Sequence, residues 1–237
     1  MNPIPYYFLW SQDYVFFAKA LKYGLSLHKD LFEDRSLFIE QEIFNKHMNK
    51  GEGHHFSGCF FKLQKIYDLL TKLPENSYFI MSDADIILFP AKKMQDLFAF
   101  YMGLDADMVC MRDAPRLNVS NVGFMLIKVS QVNRDFYRKV LEQCEKEPTG
   151  LDQSIVNGLL KTYKGTHFYF PHELVATTCS LKEVEIETPS RVSIMRSKLM
   201  VFQALCDVGL PKNQILEQKF LQYKALGIPI TQIASQV

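Results

Sequence analysis

Short apolar runs alternate along this chain with longer stretches whose apolar residues recur every three or four positions, a pattern that predicts buried strands interleaved with helices. Tyr6 to Trp10 reads as a first buried strand. A helix follows from about Asp13 to His28, where Lys19, Lys22, Ser26 and Lys29 form a polar stripe and the other faces are apolar, so most of it belongs inside. Ser36 to Ile39 reads as a second strand. Between Asn45 and Gly58 the periodicity stops: Gly51, Gly53 and Gly58 alternate with His54, His55 and Ser57, which predicts a flexible loop and a candidate lid. The helical period returns from about Phe60 to Leu73, with Leu63, Ile66, Tyr67 and Leu70 on one face and Pro74 as a stop. Farther on, strands are expected at Tyr78 to Met81, Ile86 to Phe89, Met108 to Met111, Val122 to Lys128 and His167 to Phe170. Helices are expected at Met94 to Tyr101, Gln131 to Cys144 and Asp152 to Leu160. From Pro189 onward the character turns helical, with Pro211 near a start and Gly227 and Pro229 at an end. The fold class is therefore α/β, a mostly parallel sheet flanked by helices on both faces. Residues 1–188 form the main domain and residues 189–237 a helical C-terminal extension packed on it.

One break in this pattern carries chemistry. In Tyr78 to Pro90, read as YFIMSDADIILFP, Asp83 and Asp85 stand one residue apart between two apolar runs. In an extended stretch, residues i and i+2 point the same way, so the two carboxylates would converge on one hard divalent cation. Oxygen ligands favour Mg²⁺ or Mn²⁺, completed by water and substrate phosphate. The bland alternative for the same tripeptide is a turn or a helix cap.

Composition narrows the field. A chain of 237 residues with 22% charged residues and a net charge of +1 has no global field that marks nucleic acid as a partner. Cys59, Cys110, Cys144, Cys179 and Cys206 are scattered without Cys-x-x-Cys spacing, which argues against a zinc site or a disulfide framework and for a reducing, cytoplasmic setting. No run reaches the roughly 20 apolar residues of a membrane span, and Pro3 and Pro5 interrupt a start that lacks basic residues.

Four segments fall in order: Gln12-Asp13-Tyr14, Phe61-Lys62-Leu63, Asp83-Ala84-Asp85, and Asn121-Val122-Gly123-Phe124 leading to Asp152-Gln153-Ser154. Together they resemble the GT-A-fold glycosyltransferases, particularly the nucleotide-diphospho-sugar transferases and the lipooligosaccharide galactosyltransferase-like enzymes, from about Tyr6 to Pro171. The resemblance implies a hexosyl- or pentosyltransferase that moves sugar from a nucleotide-diphosphate sugar, a UDP-sugar above all, to a hydroxyl of a glycan or other acceptor.

Residue by residue, the resemblance implies that Asp83 and Asp85 hold the metal, and that Asp13 and Tyr14 meet the nucleotide, with Tyr14 stacked on the base. Lys62 and Gly123 border the donor, Lys62 offsetting its charge. Asn121 binds sugar hydroxyls, and Asp152 and Gln153 flank the reacting sugar, with Asp152 the first choice as general base. Each has a structural reading too: a buried tyrosine, a solvated lysine, a turn at Asn121, a helix N-cap at Asp152. The chain departs from the family in lacking the late His-x-x-Gly-x-x-Lys-Pro segment, leaving His172 as the histidine to fill the gap. Two rivals share these features: a haloacid-dehalogenase-like phosphatase and a catalytically silent nucleotide-sugar or glycan-binding protein.

Overall fold

The computed structural model describes residues 2–40, 56–114, 118–147, 151–179, 198–205 and 212–226. Seven strands form the main sheet: β1 (Ile4–Trp10), β2 (Phe32–Asp34), β3 (Leu37–Phe38), β4 (Tyr78–Ser82), β6 (Met108–Arg112), β7 (Ser120–Lys128) and β8 (His167–Tyr169). Their order is β2-β1-β4-β7-β6-β8, with β3 beside β1. All pairings are parallel except those of β7, which runs antiparallel to both β4 and β6. The sheet is thus mostly parallel, as the alternation of patterns predicts.

Side chains alternate across the sheet and meet helices on either side. Ile80, Val109, Phe124 and Leu126 face α1 (Val15–Leu27) and α3 (Met94–Gly103), while Phe79, Met81, Met108, Met125 and Ile127 face α2 (Phe56–Lys72), α4 (Gln131–Lys146) and α5 (Asp152–Leu160). Sheet faces covered in this way account for the near-continuous apolar strands. Every residue of β7 is buried. α4 starts where Ser130 caps it, its hydroxyl accepting from the Asn133 N–H at 3.3 Å.

Several boundaries differ from the sequence expectation. The helix expected from Asp13 begins as a 3₁₀ turn, Gln12–Tyr14, before α1. The strand expected at Ser36 to Ile39 is the two-residue β3, and β2 before it was not expected; between the two the Asp34 carboxylate accepts the Ser36 N–H at 2.8 Å. The expected lid, Asn45 to Gly58, lies largely outside the described residues, and its last three positions already belong to α2. β5 (Ile86–Leu88) leaves the main sheet. It pairs antiparallel with β10 (Val201–Gln203), which also pairs with β9 (Val175–Thr177), in a small second sheet. A last helix, α6 (Lys212–Ala225), falls in the tail expected to be helical, but that tail also supplies the strand β10, because Val201–Gln203 pairs with β5 and β9; the expected boundary at 188/189 lies outside the described residues.

On β8, burial holds the His167 imidazole at a pKa of about 4, against an ordinary 6.5, and its Nε2 lies 3.2 Å from the Ser120 hydroxyl. The folded state therefore takes this proton only near pH 4, whereas the unfolded chain takes it near 6.5. The stabilisation by neutral His167 is complete above pH 6.5 and is lost as pH falls toward 4. Thermal unfolding from pH 7 to pH 4 should show a smaller acid loss for His167→Gln than for wild type; equal losses would mean that His167 does not titrate this way.

Candidate active site

The site lies where β4 ends. Asp83 follows the last residue of β4, and its N–H donates to the Gly123 carbonyl of the neighbouring β7 at 2.8 Å. Between β6 and β7 the register jumps: Cys110 pairs with Met125, but Met111 pairs with Asn121. Val122, Gly123 and Phe124 therefore bulge away from β6, a device that redirects backbone groups toward a site. Asn121 closes the bulge: its Oδ1 accepts the Gly123 N–H at 2.7 Å and its Nδ2 donates to Asp113 at 3.0 Å. Its buried amide thus shapes the turn that carries Gly123.

Lys62, on α2, joins three of the sequence motifs. Its buried ammonium lies 2.9 Å from Asp83 Oδ1 and 2.9 Å from Asp152 Oδ2, and donates to the Val122 carbonyl at 3.3 Å. Asp152 is the first residue of α5, and its Oδ1 accepts the Gln153 N–H at 2.7 Å. Asp152 is thus not the N-cap, which is Leu151, but the first residue of the helix, and its Oδ2 is turned to Lys62. Gln153 itself turns its carbonyl to Asn157 Nδ2 at 2.7 Å.

Two residues that the sequence reading missed complete the cluster. Gln203, the last residue of β10, donates through Nε2 to Asp83 Oδ2 at 2.8 Å and to Asp85 Oδ1 at 3.3 Å. Its amide lies over Gly123, where a Cβ would stand 2.3 Å from it. Lys219, on α6, makes a buried ion pair with Asp85 Oδ2 and donates to the Ala204 carbonyl at 3.0 Å. One helical turn on, the Tyr223 hydroxyl donates to the Asp85 backbone carbonyl. Side chains at i and i+4 share a helix face, so α6 grips Asp85 at two points.

Electrostatics distinguish the carboxylates. The side chains of Asp85 and Asp152 are 4% and 8% exposed, whereas that of Asp83 is 35% exposed. Desolvation raises the Asp83 carboxyl above its ordinary range; Lys62 opposes that rise, and the charges of Asp85 and Asp152 add to it. Asp83 is therefore the carboxylate of the three that a ligand reaches most readily.

The expected divalent ion does not fit these residues. Residues 83–85 form a turn rather than an extended stretch, and all four oxygens of Asp83 and Asp85 already face N–H donors of Lys62, Gln203 and Lys219. A cation site needs converging acceptors, and among the described residues no cluster of three His, Cys, Asp or Glu side chains is placed to hold a metal. Gln203 Oε1, buried without a hydrogen-bond partner, is a single acceptor on an amide whose nitrogen holds both aspartates. An ammonium about 4 Å from a unit positive charge is repelled by about 4 kcal/mol at an effective dielectric of 20, and a divalent ion doubles that. His172 joins no such cluster with Asp83 and Asp85, and its Nε2 lies 3.4 Å from the adjacent Glu173.

The nucleotide-facing candidates sit at the same end of the sheet, just after β1. Tyr14 packs its ring 5.8 Å from that of Phe17, which in turn lies 5.4 Å from Tyr223. Asp13 is exposed on the same 3₁₀ turn. Tyr14, Phe17, Tyr223, Asp85, Gln203, Asp83, Lys62 and Asp152 thus form a continuous path from the end of the first strand to α5.

Residues 39–212 match the family model of the nucleotide-diphospho-sugar transferases. The chain belongs to that family. No curated protein matches the transferase by sequence. Among solved structures it resembles a glycosyltransferase involved in the glycosylation of the major capsid of PBCV-1, at 15% identity and a TM-score of 0.59, over 92% of this chain and 100% of that one. It also resembles the galactosyltransferase LgtC in complex with donor and acceptor sugar analogs, at 13% identity and a TM-score of 0.53, over 94% and 100% of the two chains. Mouse xyloside xylosyltransferase 1 aligns at 12% identity and a TM-score of 0.52, over 88% and 100%. These likenesses establish the GT-A fold, and the family makes the chain a glycosyltransferase rather than a haloacid-dehalogenase-like phosphatase. Among the described residues of the transferase, no helix is long and apolar enough to cross a membrane, and Cys110 and Cys144 are buried free thiols.

One signal in the sequence pointed to Gln203: it is the polar residue within the run from Leu199 to Leu205, and an amide buried in such a strand has a partner to satisfy. Nothing local marks Lys219, one of several lysines in the helical tail.

Proposed function

We propose that the transferase moves a sugar from a UDP-sugar to a hydroxyl of a glycan or other acceptor at the Asp83 cluster. The observation that carries this reading is the Lys62 ammonium between Asp83 and Asp152, which ties the end of β4, the bulge of β7 and the start of α5 into one site. Ligands of open α/β sheets bind outside the carboxyl ends of the strands, which is where these groups meet. The donor base lies against Tyr14 and Asp13, and its diphosphate lies toward Lys62 and Lys219, whose ammonium groups offset two of the three carboxylate charges.

In the reaction the bond from the anomeric carbon to the diphosphate oxygen breaks, its electron pair leaving with UDP, while an acceptor hydroxyl oxygen bonds to that carbon and gives up its proton to solvent. Asp152, buried in its ion pair, is a positioning residue that holds Lys62. Asp83, a third exposed and with its carboxyl raised by desolvation, is the carboxylate set to contact the reacting sugar or its acceptor. Buried Asn121 holds the bulge and Gly123 leaves room for Gln203, so both act on the shape of the sugar pocket. Screening nucleotide-sugars for UDP release tests the reading. Release from one or a few UDP-sugars, raised by hydroxyl acceptors, is the expected result, and a preference for a donor with another nucleoside would overturn the UDP assignment.

A further inference from the structure

The inference drawn here rests on the donor site just proposed and concerns how that site is neutralised. We propose that Lys219, paired with Asp85, and the Gln203 amide between Asp83 and Asp85 together take the place of a divalent ion, so that this aspartate pair takes up no divalent metal. Three observations carry it.

The first is what each oxygen of the pair meets. Asp83 Oδ1 takes Lys62, Asp83 Oδ2 and Asp85 Oδ1 share the Gln203 amide nitrogen, and Asp85 Oδ2 takes Lys219. Carboxylates accept only, so the amide nitrogen is the end of Gln203 that belongs between them. The space between the aspartates is thus closed by a donor.

The second is burial. The Lys219 side chain is 8% exposed and that of Asp85 4%, and the ammonium also binds the Ala204 carbonyl at 3.0 Å. A desolvated ammonium with a carboxylate and a carbonyl as partners is held in place, since withdrawing it would leave Asp85 buried and uncompensated. The third is the scaffold. Tyr223 fixes the same helix face to the Asp85 backbone, and Gly123 supplies the room that the Gln203 amide occupies.

Mn²⁺ binding read by electron paramagnetic resonance tests this on the full chain, alone and with UDP. Wild type should leave the free-Mn²⁺ signal unchanged, and its UDP release from a UDP-sugar should agree within about twofold in chelator and in Mn²⁺. Folded Lys219→Ala should gain one bound Mn²⁺ per chain in the presence of UDP, because the freed Asp85 oxygen restores an acceptor pair. Adding Asp85→Asn should remove that ion. Lys219→Arg should keep wild-type behaviour toward Mn²⁺ by restoring the charge.

Stoichiometric Mn²⁺ on wild type that Asp85→Asn abolishes would overturn the proposal, and so would transfer that chelator stops and Mn²⁺ restores. If Lys219→Ala does not fold, these wild-type measurements decide by themselves. If no UDP-sugar is turned over under either condition, the donor reading fails, and the resonance signal still decides whether Lys219 excludes the metal.

Discussion

Lys62→Met should destabilise the fold by about 3–5 kcal/mol and lower sugar transfer by at least about 10²-fold. The stability loss follows from burial: with the ammonium gone, Asp152 keeps a desolvated charge without its partner at 2.9 Å, and Asp83 loses one of the contacts that hold it. Methionine retains most of the apolar stem, so the effect isolates charge from packing. Adding Asp152→Asn removes the stranded charge and should recover a large part of the stability while transfer stays low. Denaturant melts of the two single variants and the double variant, read as a double-mutant cycle, give the coupling directly. Strictly additive effects would mean that Lys62 and Asp152 do not act as a unit.

Gly123→Ala is the second change with a large expected effect. Its Cβ would stand 2.3 Å from both the Nε2 and the Oε1 of Gln203, closer than any unforced contact. In an exposed place a glutamine would swing away, but here the amide is buried and bonded to Asp83 and Asp85. We expect a loss of about 1–3 kcal/mol from overpacking and a fall in transfer of at least about 10²-fold as the aspartates lose their bridge. Gly123→Ala combined with Gln203→Ala removes the clash and should restore the melting temperature without restoring transfer. Unaltered transfer by folded Gly123→Ala would show that the Gln203 bridge has no part in the reaction.

Much of this molecule was legible where the information is local. The apolar runs around Asp83 and Asp85 give β4 and β5, and the helical spacing of Leu63, Ile66 and Leu70 gives α2 and, with it, Lys62. What escaped is set by contacts between distant segments. Lys219 and Gln203 lie 134 and 118 residues from Asp85, and periodicity carries no information about such a meeting. The same holds for β5, whose run reads as an ordinary strand but whose partner β10 draws it out of the main sheet. Asn121 and Gly123 were found as a motif, yet the bulge between Cys110 and Met111 that gives them their geometry depends on pairing with β6. The metal expectation rests on the same local information: two aspartates one residue apart read alike whether an ion or a distant lysine neutralises them.

UDP release measured for wild type beside Asp83→Asn, with the best donor from the screen and in the presence of acceptor, tests the central claim most directly. Acceptor-dependent release by wild type that falls by at least about 10²-fold in folded Asp83→Asn is the predicted result. Equal release by the two proteins would place the reaction away from the Asp83 cluster and contradict the account.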